Sequence, residues 1–132
     1  MNRYEGLYKG IAAGVGAGIG YFFGEWYPLL EFLLVFVIID YVSGWLVAAY
    51  SGKLSSKVGF NGIAKKIMLF FMIAVAHLSD RMLGSSHVVM NAAVYFYMAN
   101  ELLSIVENAG RLGLPVPPKI KQMIELLRDK NG

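Results

Sequence analysis

Leu29-Leu30-Glu31-Phe32-Leu33-Leu34-Val35-Phe36-Val37-Ile38-Ile39-Asp40-Tyr41-Val42-Ser43-Gly44-Trp45-Leu46-Val47-Ala48-Ala49-Tyr50 is a stretch of 22 residues with two charges, Glu31 and Asp40. At ~1.5 Å per residue a helix of this length runs roughly 33 Å, enough to cross a hydrocarbon core of ~30 Å. The segment Leu33–Ile39 is apolar on every side, and so is Leu69–Ala76. A water-soluble bundle needs a polar stripe on each helix, and these segments have none. A chain of 132 residues cannot supply a core large enough to bury them. The reading is an all-α integral membrane protein.

Three further runs surround this one. Gly10–Gly24 has no charge and six glycines. Ile67–Ser79 is uncharged and extends to Ile63–Leu83 if Lys65, Lys66, Asp80 and Arg81 sit at the interfaces. Val88–Ala99 is uncharged and continues helically to about Ala109. Spans are expected near 10–27, 29–50, 63–83 and 87–108. The first is short, at roughly 22 Å for its uncharged part, so three or four crossings remain open. Residues 1–109 form the transmembrane part. Residues 110–132 form a proline-broken linker and a tail.

The composition supports this and excludes other classes. Hydrophobic residues make up 57% of the chain, and the net charge is +3. That charge is too small and too scattered for nucleic-acid binding. With no cysteine there is no disulfide scaffold and no thiolate metal site. His77, Asp80 and His87 match no common metal motif, so no metal or other cofactor is expected. No P-loop, zincin helix or nucleophile–His–Asp set is present, and an enzyme is not expected.

Basic residues near the span ends set the topology. Successive flanks hold two (Arg3, Lys9), none, four (Lys53, Lys57, Lys65, Lys66), one (Arg81) and five (Arg111, Lys119, Lys121, Arg128, Lys130). The alternation fits four spans with both termini in the cytoplasm and a cytoplasmic basic loop at Lys53, Lys57, Lys65 and Lys66. Pro115, Pro117 and Pro118 stop the fourth helix. Beyond them Ile120, Met123, Ile124 and Leu127 share one face of a tail helix over Lys119–Arg128. That face suits either the inner leaflet or the protein's own bundle.

Three polar or small-residue features carry functional expectations. Gly10, Gly14 and Gly18 are four apart, as are Gly16, Gly20 and Gly24. Such rows let helix backbones approach closely in lipid, between copies or against the second span; Gly44 offers a similar small surface. Asp40 lies mid-span, where a carboxylate costs roughly 2.5–3.5 kcal/mol unless it is protonated, paired or wet. Ser43 and Gly44 share its face, giving a notch for an oligomer contact, an aqueous path or a structural bond within the monomer. Asn100, Glu101, Ser104, Glu107 and Asn108 fall within an arc of about 120° on the fourth helix. That face calls for water or another polar face, though a half-span emerging from the membrane would carry similar residues.

Asp40-Tyr41-Val42-Ser43-Gly44, then Lys53-Leu54-Ser55-Ser56 with Gly59, Gly62-Ile63 and Lys65-Lys66, then Asn100–Ala109 with Gly113, Pro115, Pro117 and the Lys119–Leu127 tail resemble the toxin-secretion and phage-lysis holin family, of the phage holin family 4 type. The likeness covers about 90 residues, from the second run to the tail. It implies a small integral protein of the bacterial cytoplasmic membrane, while the basic-residue pattern above puts the C-terminus in the cytoplasm. It further implies a homo-oligomer that opens lesions for an endolysin or an exported toxin, a functional partnership that does not require direct binding. Asp40, Ser43 and the Asn100–Asn108 face would then line the lesion. Two other readings compete: a small proton-coupled transporter titrating at Asp40, and a non-lytic, antiholin-like regulator.

Overall fold

In the computed structural model, residues 2–129 are described; Lys130, counted above among the tail's basic residues, lies outside them. Five helices follow one another: α1 (Arg3–Phe23), α2 (Pro28–Tyr50), α3 (Ser56–Leu83), α4 (Val88–Arg111) and α5 (Pro118–Asp129). No strand occurs among the described residues. Helices α2, α3 and α4 are long and apolar enough to cross a membrane; α1 is not among them. The all-helical membrane class expected from the sequence is therefore what the chain forms.

Local chemistry sets each boundary. Pro28 opens α2, where its missing N–H is no loss. Ser55 caps α3 by accepting from the Val58 N–H at 3.2 Å. Gly84 closes α3 in the left-handed conformation. The start of α4 is unusual. Its N-cap residue His87 sits at φ 58° and makes no side-chain cap bond. Asp80 of α3 does that work, accepting from the N–H groups of Val89 (2.9 Å) and Met90 (2.8 Å) and from the Ser85 hydroxyl (2.6 Å). Asp80 thus serves as the cap of α4. It is buried in the α3–α4 turn, and α4 rests on it.

The core runs between the three long helices. Leu30, Leu33 and Val37 of α2 pack with Leu69 and Ile73 of α3 and with Met90, Val94, Met98 and Leu102 of α4. The backbones of α2 and α4 run close together over the longest stretch, while those of α2 and α3 approach at few positions. Outward-facing Phe32, Val35, Ile38, Val42, Phe71 and Val75 remain exposed, a distribution that fits lipid as solvent. Near the α1–α2 link, Tyr27 donates its hydroxyl to Asn91 Oδ1 at 2.9 Å. Burial, then the nearby Tyr95 and Asp80, raises the Tyr27 pKa above the usual phenol value.

Two elements sit differently. Helix α1 touches the rest of the chain through α3. The contact is at its end, where Phe23 meets Phe70 and Tyr21 meets Arg81. Helix α5 docks on α4, with Ile124 only 4% exposed and Leu127 packed on the core. Of the two places open to the tail, the bundle takes those two residues. Ile120 and Met123, on the same stripe, stay exposed.

Candidate functional site

Three helices bring charge together at one depth. Asp40 lies 10 residues before the end of α2 at Tyr50, Lys66 lies 10 after the start of α3 at Ser56, and Glu101 lies 10 before the end of α4 at Arg111. At ~1.5 Å per residue each is roughly 15 Å from the same end of the bundle. There Lys66 donates to Asp40 Oδ2 and to both oxygens of Glu101, at 2.9 and 2.8 Å. Both carboxylates are only 6% exposed. The Lys66 side chain is 22% exposed. One ammonium thus ties α2 to α4 from α3, and its three N–H donors meet three oxygens.

A polar neighbourhood surrounds this triad. Asn108 donates through Nδ2 to Ser43 Oγ (2.8 Å) and to Asp40 Oδ1 (3.3 Å). Ser43 in turn donates to the Asp40 carbonyl at 3.0 Å, bonding back along its own helix. Ser104 faces Asp40 from α4. Tyr41 donates its hydroxyl to the Gly59 carbonyl at 3.1 Å. Gly59 and Gly62 allow α3 to approach these rings: a Cβ at Gly59 would lie 2.6 Å from Trp45, and one at Gly62 would lie 3.1 Å from Tyr41.

Beside the triad is a cavity of about 210 Å³, lined among others by Asp40, Lys66, Ser104, Asn108, Tyr41 and Trp45. Link residues Leu54 and Ser55 bound it at one end.

The residues singled out in the sequence divide accordingly. Asp40, Ser43, Glu101, Ser104 and Asn108 come together. Asn100 and Glu107 do not; both are exposed. Their helical angles lie at the far edge of the 120° arc, so the one predicted face is two: a buried half against α2 and α3, and an open half. The basic group is also divided. Only Lys53 is in the α2–α3 link, because α3 begins at Ser56 and takes Lys57, Lys65 and Lys66 into its first turns. Lys66 is therefore not a loop cation. Its partner pattern, Asp40 and Glu101 on separate helices, left no local signal in the sequence.

The glycines divide as well. Gly10, Gly14, Gly16, Gly18 and Gly20 have nothing within 4 Å of where a Cβ would stand. Packing against the second span is thus not their place in the monomer. Gly24 lies outside the helix at φ 73°, against the His77 ring. Gly44 faces the Asn108 amide at 3.9 Å. Among the described residues, no group of three or more His, Asp or Glu is placed to hold a metal ion. His77 and His87 stack with ring centroids 6.1 Å apart.

The sequence model of the bacteriophage holin family matches residues 17–129, from late α1 to the end of α5. The chain belongs to the bacteriophage holin family. A probable holin of Bacillus phage phi105 is 33% identical over 102 residues, covering 77% of this chain and 76% of the phage protein. An uncharacterised protein of Listeria monocytogenes is 46% identical over 104 residues, 79% of this chain and 74% of that protein. An uncharacterised protein of Bacillus subtilis is 34% identical over 101 residues, 76% of this chain and 72% of that protein. No solved structure matches the chain. The family match and the three apolar helices make this holin-family chain a multi-pass membrane protein. The matched region includes the whole triad and the tail helix, and begins within the glycine rows.

Proposed function

We propose that this protein is a holin that associates with copies of itself in the bacterial cytoplasmic membrane and opens lesions through which an endolysin or an exported toxin passes. The observation that carries the reading is the Asp40–Lys66–Glu101 triad. A small membrane protein keeps its polar groups at one depth by pairing them across three helices, so the separated helices could present those groups to water. Family membership and the phage relative named a probable holin support the same reading. The unpacked glycine rows of α1 supply a surface for association, since small residues let helices pack closely in lipid. Exposed Glu107 and Asn100 extend the polar face beyond the triad.

The C-terminus lies on the cytoplasmic side in this reading. Lys53, Lys57, Arg111, Lys119 and Lys121 flank the same ends of the spanning helices, which favours that side. Endolysin or toxin is a functional partner and need not bind. A transporter that titrates at Asp40 wants that carboxylate free, whereas Lys66 holds it. The test is inducible expression in bacteria with and without an endolysin. Abrupt lysis that needs both proteins is expected, together with leakage and growth arrest from this chain alone. Leucine at Gly10, Gly14 and Gly18 should delay lysis at equal membrane abundance. Continued growth with intact membranes would point to a non-lytic regulator, and pH-dependent uptake without leakage to a transporter.

A further inference from the structure

The cavity beside the triad has a definite chemistry. Its wall holds a buried carboxylate, Asp40, and an ammonium, Lys66. The ammonium offers nothing to a ligand, because its three donors are directed at Asp40 and Glu101. The acceptors are less fully used. Asp40 Oδ1 takes the Asn108 amide at 3.3 Å, a long bond, and the Ser104 hydroxyl also faces this carboxylate, which has about four lone-pair sites. Tyr41 donates its proton to Gly59 and keeps its lone pairs. The Ser55 and Ser104 hydroxyls on the same wall also keep lone pairs that can accept.

Charge points the same way. Two carboxylates and one ammonium leave one excess negative charge when both acids are ionised, in a region where uncompensated charge is costly. Beside Ser55, Ser104 and Asn108, the wall is largely apolar or aromatic, with Tyr41, Trp45, Ala48, Leu54 and Val58. Tyr41 and Trp45 stand edge to face with centroids 6.0 Å apart. Aromatic faces near a carboxylate attract an organic cation. The volume of about 210 Å³ is below the ~300–1,000 Å³ typical of drug-sized ligands, so the occupant is small.

We infer that the cavity between α2, α3 and α4 is a binding site for a primary alkylammonium group, with its head against Asp40 and its chain between Tyr41, Trp45 and Ala48. An ethanolamine lipid headgroup and a free aliphatic amine share this chemistry. The inference does not depend on lesion formation; a transporter or a regulator with this triad would carry the same site.

The experiment is calorimetric titration of the full chain in a non-ionic detergent with n-butylammonium, against n-butanol and tetramethylammonium. Saturable binding of n-butylammonium is expected, at least tenfold tighter than either control. A parallel arm compares nanodiscs of phosphatidylglycerol with and without phosphatidylethanolamine. Weaker n-butylammonium binding in the discs that contain phosphatidylethanolamine assigns the site to the lipid headgroup; equal binding assigns it to the free amine. Asp40→Asn should abolish binding. Because that change also touches the triad, Ala48→Phe serves as the second variant, filling the cavity while leaving the three charges in place. It too should abolish binding. The inference is overturned if n-butylammonium binds no better than n-butanol, leaving the excess charge to a proton, or if Ala48→Phe binds as the parent does.

Discussion

Replacing Lys66 with methionine tests the triad directly. The change keeps an unbranched side chain one atom shorter and removes its charge. It leaves Asp40 and Glu101, each only 6% exposed, facing one another without a cation. Removing one member of a buried charge set costs about 3–5 kcal/mol, because the remaining charge keeps its desolvation penalty. Lys66 itself is 22% exposed, so water can replace part of what is lost, and the lower half of that range is expected. For a chain of 132 residues a loss of about 3 kcal/mol corresponds to a fall in Tm of roughly 10–15 °C. Thermal unfolding followed by circular dichroism in detergent reads this. The triple variant Lys66→Met, Asp40→Asn, Glu101→Gln separates charge from packing. With no ion left to desolvate, it should recover most of the loss, as buried ion sets replaced by neutral groups commonly do. A Lys66→Met protein that melts within about 2 °C of the parent would refute the claim that this ammonium ties the three helices. So would a triple variant no more stable than the single one.

Other perturbations follow from particular contacts. Asp80→Ala removes the acceptor for the Val89 and Met90 N–H groups and should cost about 2 kcal/mol, with amide exchange rising first at the start of α4. Ile124→Ala empties a buried site under the tail helix, at about 2–5 kcal/mol for such truncations; limited proteolysis should then cut faster in the 112–118 link while α2–α4 stay protected. Gly59→Ala places a methyl 2.6 Å from the Trp45 ring. The half-exposed ring can swing away, and alanine favours the helix by about 1 kcal/mol over glycine, so emission from Trp45 should shift with little change in Tm. Gly14→Leu meets open space in the monomer, and its Tm should stay within about 2 °C of the parent; a large fall would mean that α1 packs where the structure leaves it bare.

The long helices were legible because lipid solvation imposes a simple rule, apolar on all sides for about 20 residues, and Leu29–Tyr50 obeys it. The tail was legible because Ile120, Met123, Ile124 and Leu127 follow the helical period. What could not be read was pairing between helices. Asp40 was visible as a costly mid-span acid and Glu101 as part of a polar arc, but their cation stood among residues that read as a basic flank. Lys65 and Lys66 are adjacent, yet a rotation of about 100° separates them. Lys66 turns inward to the two acids and Lys65 stays exposed. The same rotation splits the arc on α4, placing Glu101 inside and Glu107 outside. Periodicity gives a residue's angle on its own helix; it does not say which neighbour that angle faces. Asp80 shows the limit again. Seven positions before His87, it caps a helix that begins after an intervening turn, so no local capping signature marks it. The triad and this cap have a common physical basis: in lipid, neither an ion nor a free N–H finds water, so each must find a partner within the chain. A polar group near mid-span in such a sequence is therefore best read as one half of a pair, and the search for its other half belongs on the remaining helices at equal distance from the same end.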